Sequence, residues 1–201
     1  MRLQNTMKTM LKSGPFLVLA SFVACGGGGS SSNNSGGTSS NPNAATKIAY
    51  TNPTPAAGQW ALMKDAASTD THLILDLVSP TDAVSGFGVG FTINAPTSVT
   101  WSKVSGSDAT LIQNTAYTLG TVSPQLIKGV SKTGNLIAGV YQKGLATTAV
   151  PHPGAVAKIA LDLSSGASKT ASVTLTVNVS QELQVSGMQN ITILPGAIAL
   201  Q

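Results

Sequence analysis

Cysteine is almost absent from this chain: Cys25 stands alone in 201 residues. An internal disulfide is therefore excluded, as is a metal site built on paired thiolates. Histidine is nearly as scarce, and His72 and His152 lie too far apart in sequence for a local two-histidine metal motif. Glu182 is the single glutamate, and the seven acidic residues are scattered. They form no dense Asp-x-Asp-x-Asp-Gly calcium loop and give little basis for the paired carboxylates of glycoside hydrolysis. There is no Gly-x-Ser-x-Gly nucleophile elbow and no phosphate-cradling Gly-x-x-x-x-Gly-Lys. A Ser–His–Asp set would have to be assembled from distant residues, and His72 reads better as a solvent-face strand residue. The expectation is a protein that is not an enzyme, with no catalytic residues, no metal and no cofactor.

Charge is sparse as well, at 9% of residues. Three of the eleven basic residues (Arg2, Lys8, Lys12) precede residue 25, and the remainder carries eight lysines against seven acids. The formal charge of +4 thus overstates the basicity of residues 25–201, and nucleic-acid binding is not expected. Lys47, Lys103, Lys128 and Lys158 stand singly and read as a solvated face. Asp65 and Asp70 fall in the turn-like segment 64–71. Apolar runs are short too, since none approaches the roughly 20 residues of a membrane-spanning helix.

What is present begins with Phe16-Leu17-Val18-Leu19-Ala20-Ser21-Phe22-Val23-Ala24-Cys25, behind a basic flank and ahead of Gly26-Gly27-Gly28-Gly29-Ser30-Ser31-Ser32. Basic flank, short apolar core and small residues before a cut are the marks of a secretory signal. Met7 and Met10 also precede the apolar run, so translation from either keeps the core. The segment resembles a bacterial lipoprotein signal, whose box ends in a small residue and cysteine. Here Phe22 stands where leucine is usual. The resemblance implies a signal peptide over 1–24, lipid on Cys25, and anchoring to the cell membrane or outer membrane on its extracytoplasmic side. Gly26, rather than Asp, resembles the signal for onward transfer to an outer membrane.

Residues 25–46 continue as a Gly/Ser/Asn-rich tract with almost nothing apolar to bury. Such composition predicts a disordered linker, with an end-to-end distance of about 25 Å. Residues 47–201 are then one domain, long enough to bury a core without disulfides.

The periodicity of that domain is two. Val173, Leu175, Val177 and Val179 alternate with Thr174, Thr176 and Asn178. Ala155, Ala157, Ile159, Leu161 and Leu163 alternate with residues that include Lys158 and Asp162, and Leu73, Leu75 and Leu77 oppose His72 and Asp76. Phe87, Val89, Phe91 and Ile93 form another inward row, opposed by Gly86, Gly88 and Gly90. Three glycines on one face weaken a strand, which predicts that something lies close against that backbone. Further strands are expected over 60–64, 99–104, 116–119, 136–142, 190–194 and 197–200. The only weak helical pattern, over 56–67, is interrupted by Gly58. Short strands at regular spacing predict an all-β, two-sheet sandwich.

The succession Leu73-Ile74-Leu75-Asp76-Leu77, Gly86-x-Gly88-Val89-Gly90-Phe91-Thr92-Ile93, Gly134-Asn135-Leu136-Ile137-Ala138-Gly139-Val140, Ile159-x-Leu161-Asp162-Leu163 and Leu194-Pro195-Gly196-x-Ile198 resembles a cohesin-type domain over about residues 60–201. That resemblance implies a jelly-roll sandwich of about nine strands, akin to some carbohydrate-binding modules. Asn94-Ala95-Pro96 replaces the Tyr-Asp-Pro usual in the family, and its partner-recognising polar residues have no counterparts by position. The function implied is non-catalytic binding or scaffolding of a protein partner, with polysaccharide binding as the alternative. Seven aromatic residues follow the signal, of which Phe87 and Phe91 fall in the core row. Trp60, Trp101 and Tyr141 are the candidate ligand-facing residues, though each also suits sheet packing.

Overall fold

The computed structural model describes residues 41–80, 86–114, 125–142 and 154–201. The expected signal segment, Cys25, most of the Gly/Ser-rich tract, the expected strand over 116–119 and His152 lie outside the described residues. Thirteen strand segments occur within them, and among the described residues there is no helix. In chain order they are β1 (Ile48–Thr51), β2 (Trp60–Lys64), β3 (His72–Val78), β4 (Gly86–Asn94), β5 (Val99–Ser102), β6 (Leu111–Gln113) and β7 (Gln125–Lys132). There follow β8 (Asn135–Gln142), β9 (Ala155–Leu163), β10 (Thr176–Gln184), β11 (Gly187–Asn190), β12 (Ile193–Leu194) and β13 (Ala197–Leu200).

One sheet runs β11-β10-β4-β8-β7 and the other β12-β2-β3-β9-β5, with β6 continuing along β9 beyond β5; β1 and β13 pair as a separate ribbon. This is an all-β jelly-roll sandwich. Alternation decides which side chains enter it: Leu73, Leu75 and Leu77 from β3 meet Val89, Phe91 and Ile93 from β4 in a core joined by Leu136, Val140, Ile159 and Leu161. All ten are buried. Removing such side chains from water is the main favourable contribution to the fold. The β1–β13 ribbon is tied down by Tyr50, whose hydroxyl donates to the Leu62 carbonyl at 2.7 Å and accepts from the Gly196 N–H at 2.6 Å. Burial pushes the Tyr50 phenol up to about 12. Ahead of Lys47, Ala45 donates to the Ala167 carbonyl and Asn43 accepts from the Lys169 N–H. Hydrogen bonding to the sandwich therefore starts a few residues before position 47.

Two of the expected rows break partway. Val173 and Leu175 are buried, but Val179 is 51% exposed. The pairing of β10 with β4 slips between Val177 and Val179, leaving Asn178 as an extra, bulged residue. A one-residue slip turns every later side chain to the opposite face. Val179 thus faces out, while Glu182 turns inward and is 3% exposed, accepting from the Gln184 amide at 2.9 Å. A second slip between Leu183 and Gln184 leaves Phe87 as the extra residue on β4. Phe87 is consequently half-buried and outside the core cluster, not in the core row.

Candidate functional site

The three candidate aromatic residues take three different places. Trp60 is 1% exposed and part of the core, so it is not ligand-facing. Tyr141 is half-buried on the outer face of the five-stranded sheet. Trp101 is half-buried at an edge of the sandwich, where its Nε1 donates to the Gly134 carbonyl at 2.7 Å.

Tyr141 explains Gly88 and Gly90 of the expected row, and Gly139 besides. It pairs with Gly88 across β8 and β4, and Gly139 pairs with Gly90. A side-chain carbon on Gly88 would lie 2.6 Å from Cδ1 of the tyrosine, one on Gly139 would lie 2.8 Å from Cε2, and one on Gly90 would meet the phenol oxygen. The ring therefore lies across a trough cut by three glycines. What approaches that backbone closely is a side chain of the same sheet. Burial raises the Tyr141 phenol above its ordinary pKa.

Around the ring the outer face carries exposed apolar side chains and little charge. On one side of it the register aligns Val179, Thr92, Ile137 and Val130 across β10, β4, β8 and β7. On the other side Met188 pairs with Leu183 across β11 and β10. Val130, Ile137, Val179 and Met188 are all between 45% and 58% exposed. Between the two rows Gln181 donates to Asn190 at 3.1 Å, and Lys128 is the one charged residue of that middle row. Of the four exposed apolar residues, only Val179 belongs to a row that alternation assigns to the core.

The outer face of the other sheet is covered around Ile74 and Ala160, while an open groove beside β2 is lined by Ala61, Met63 and Val78. The chain between β5 and β6 folds back over the covered part, and Val104 and Ile112 cover Ile74 and Ala160 in a second small core. Beside this roof, Lys158 forms ion pairs with Asp65 and with Asp76, the latter at 2.9 Å. Lys158 is thus not a freely solvated lysine. Burial alone would lower its pKa, but the hydrogen bonds to both carboxylates hold it above the usual value. The Lys158 hydrogen bond is the main influence holding Asp65 below the ordinary carboxylate range. Burial dominates at Asp76 and pushes it up.

On the same face His72 Nδ1 lies 2.5 Å from Asp162 Oδ1, and Ser102 donates to Asp162 Oδ2 at 2.6 Å. Three catalytic residue types do meet, but in the wrong order. The carboxylate stands between serine and histidine, whereas a nucleophilic serine needs the imidazole itself as its base. His72 is partly buried and paired rather than solvent-facing, with its side chain 18% exposed. Among the described residues no group of three or more His, Cys, Asp or Glu side chains suits a metal ion.

No protein-family model matches the chain, and no curated protein matches its sequence. Solved structures do. A type II cohesin domain from the cellulosome of Acetivibrio cellulolyticus is 9% identical and superposes over 72% of this chain and 95% of its own, with a TM-score of 0.51. The sixth cohesin of scaffoldin B from the same organism, solved in complex with a Cel5 dockerin mutant, is 8% identical over 71% of this chain and 97% of its own, with a TM-score of 0.50. A non-cellulosomal cohesin from Archaeoglobus fulgidus gives 8% identity, 72% and 91% coverage, and a TM-score of 0.48. The described sandwich has a cohesin-like fold.

Proposed function

We propose that this chain is a lipid-anchored, non-catalytic binding protein whose sandwich docks a protein partner on the outer face of its five-stranded sheet. One observation carries the docking reading: four exposed apolar side chains flank the Tyr141 ring on a face with little charge. Interfaces concentrate their energy in such aromatic anchors, and depletion of charge at their centre is their compositional mark. The cohesin solved with a dockerin supports a protein as the partner class, because it shares this architecture. The order Ser102–Asp162–His72 supports a non-enzymatic role.

The anchor rests on the sequence around Cys25 and the Gly/Ser-rich tract after it. One acyl chain holds only marginally, at ~0.8 kcal/mol per buried methylene, so firm attachment takes several chains. Cells fed a clickable fatty acid should label the wild-type protein and not Cys25→Ser. Equal labelling of both contradicts the anchor. Docking is tested by affinity capture followed by reconstitution with the recovered partner. Ile137→Asp and Met188→Asp should weaken the complex at least about tenfold, while Lys103→Asp on the opposite face leaves it unchanged. Affinity insensitive to all three contradicts the docking face.

A further inference from the structure

At one end of the sandwich, β7 and β8 are joined by the two-residue turn Thr133–Gly134, with φ of 50° and 78°. Two left-handed residues in succession form the hairpin turn that fits sheet twist, and Asn, Asp or Gly normally supply it. Threonine is β-branched and out of place there. Thr133 is the one non-glycine residue with positive φ among the described residues. Surrounding bonds hold the turn in place. The Gly134 carbonyl accepts from the Ala95 N–H at 2.9 Å and from Trp101 Nε1 at 2.7 Å.

The clamped turn forms one wall of an open cleft of about 630 Å³, with the β4–β5 connection opposite. That size suits a small-molecule site. Trp101 lines it, fixed by its own hydrogen bond, together with Thr97, Thr100, Ser131 and Thr133. Lys132 is the single charged residue of the lining, and no carboxylate is among it. An indole held in one orientation supplies an apolar surface at little entropic cost. Hydroxyl groups around it both donate and accept. A phosphorylated ligand would call for more than one exposed lysine, and an apolar ligand for walls without hydroxyls.

We propose that this cleft binds an uncharged oligosaccharide, stacked against Trp101 and hydrogen-bonded by the hydroxyl-bearing walls. The site is separate from the docking face and stands or falls independently of it. The probes are hexasaccharides of β-1,4-glucan, xylan and mannan, with a polygalacturonate hexamer as the charged control. The readout is the indole N–H resonance of the full-length protein. Only two tryptophans exist, so buried Trp60 is an internal reference.

At millimolar concentration at least one neutral probe should shift the Trp101 resonance and leave that of Trp60 in place. Ser131→Arg, which fills the cleft from an exposed position, should weaken that binding at least about tenfold. Ile137→Asp should leave it intact, which separates this site from the docking face. Trp101→Phe, which keeps a ring but loses the bond to Gly134, should weaken binding too, and it carries the test by calorimetry if Ser131→Arg does not fold. A response to none of the neutral probes, a response to the charged control alone, or binding unaffected by the cleft variants overturns the proposal.

Discussion

Ile74 and Ile137 both lie on central strands with their side chains turned away from the main core, yet Ile74 is 2% exposed and Ile137 58%. The difference is what covers them. Over β3 and β9 the chain supplies its own roof, and Lys158 beside it is paired with Asp65 and Asp76 within the fold. Over β4 and β8 the described chain supplies only the Tyr141 ring, laid on glycines. A face that satisfies itself has little left to offer a partner. A face that keeps aliphatic side chains in water, around a fixed aromatic ring, has apolar area to lose on association.

Gly88→Val should have the largest effect on the five-stranded sheet. The added carbon would lie 2.5 Å from the Tyr141 backbone and collide with the Val140 carbonyl, at a residue whose φ is 144°. Neither neighbour is the free end of a side chain, so the expected loss is about 3–5 kcal/mol or failure to fold. Denaturant unfolding measures it, and an unperturbed domain would show that the trough is not closed by its own sheet.

Next in size is Ile74→Ala, expected to cost about 2–5 kcal/mol because it empties a roofed site. Ile137→Ala, on the bare face, should stay within about 0.5 kcal/mol. Similar losses at both positions would erase the distinction between the two faces.

A smaller effect, dependent on pH, is expected from Lys158→Met. Removing the ammonium leaves Asp65 and Asp76 facing each other without a cation, a loss of about 1–3 kcal/mol at neutral pH. In the wild type Asp65 is held below its unfolded pKa. Its contribution is therefore present above about pH 4 and fades as pH falls through the lower folded value. Asp76, pushed up by burial, acts in the opposite sense, since its ionisation disfavours the fold and acid relieves that cost. Without Lys158 both carboxylates resist ionisation, so the deficit of the variant should be largest at neutral pH and shrink as the acids protonate. Unfolding curves across this range measure it, and a deficit that grows with acid contradicts the ion-pair geometry.

The sandwich was legible where alternation runs unbroken, as in Leu73–Leu77, Val89–Ile93 and the buried Leu175. It was not legible at Asn178, because Val177 and Val179 continue the pattern straight across the bulge. The same slip conceals that Glu182 enters the core. Strand β7 escaped notice because Lys128, Gly129 and Ser131 interrupt its pattern. Gly129 is demanded by tertiary contact, since a side-chain carbon there would lie 2.6 Å from Leu111 Cβ. Of the site, Tyr141 and Trp101 could be named from residue type, and Gly88 and Gly90 announced a close neighbour on that face, whereas Gly139 carried no such signal. Which face stays bare depends on where the β5–β6 chain folds, and no local pattern carries that.

Photo-cross-linking in the cell of origin tests whether the five-stranded face docks a partner. A benzophenone-bearing residue is placed in turn at Ile137, at Val179 and, on the opposite face, at Lys103. The expected result is the same single partner protein joined at Ile137 and Val179, none at Lys103, and loss of both adducts when Met188→Asp is added. Equal capture of that partner from Lys103, or no adduct from Ile137 and Val179, would contradict it.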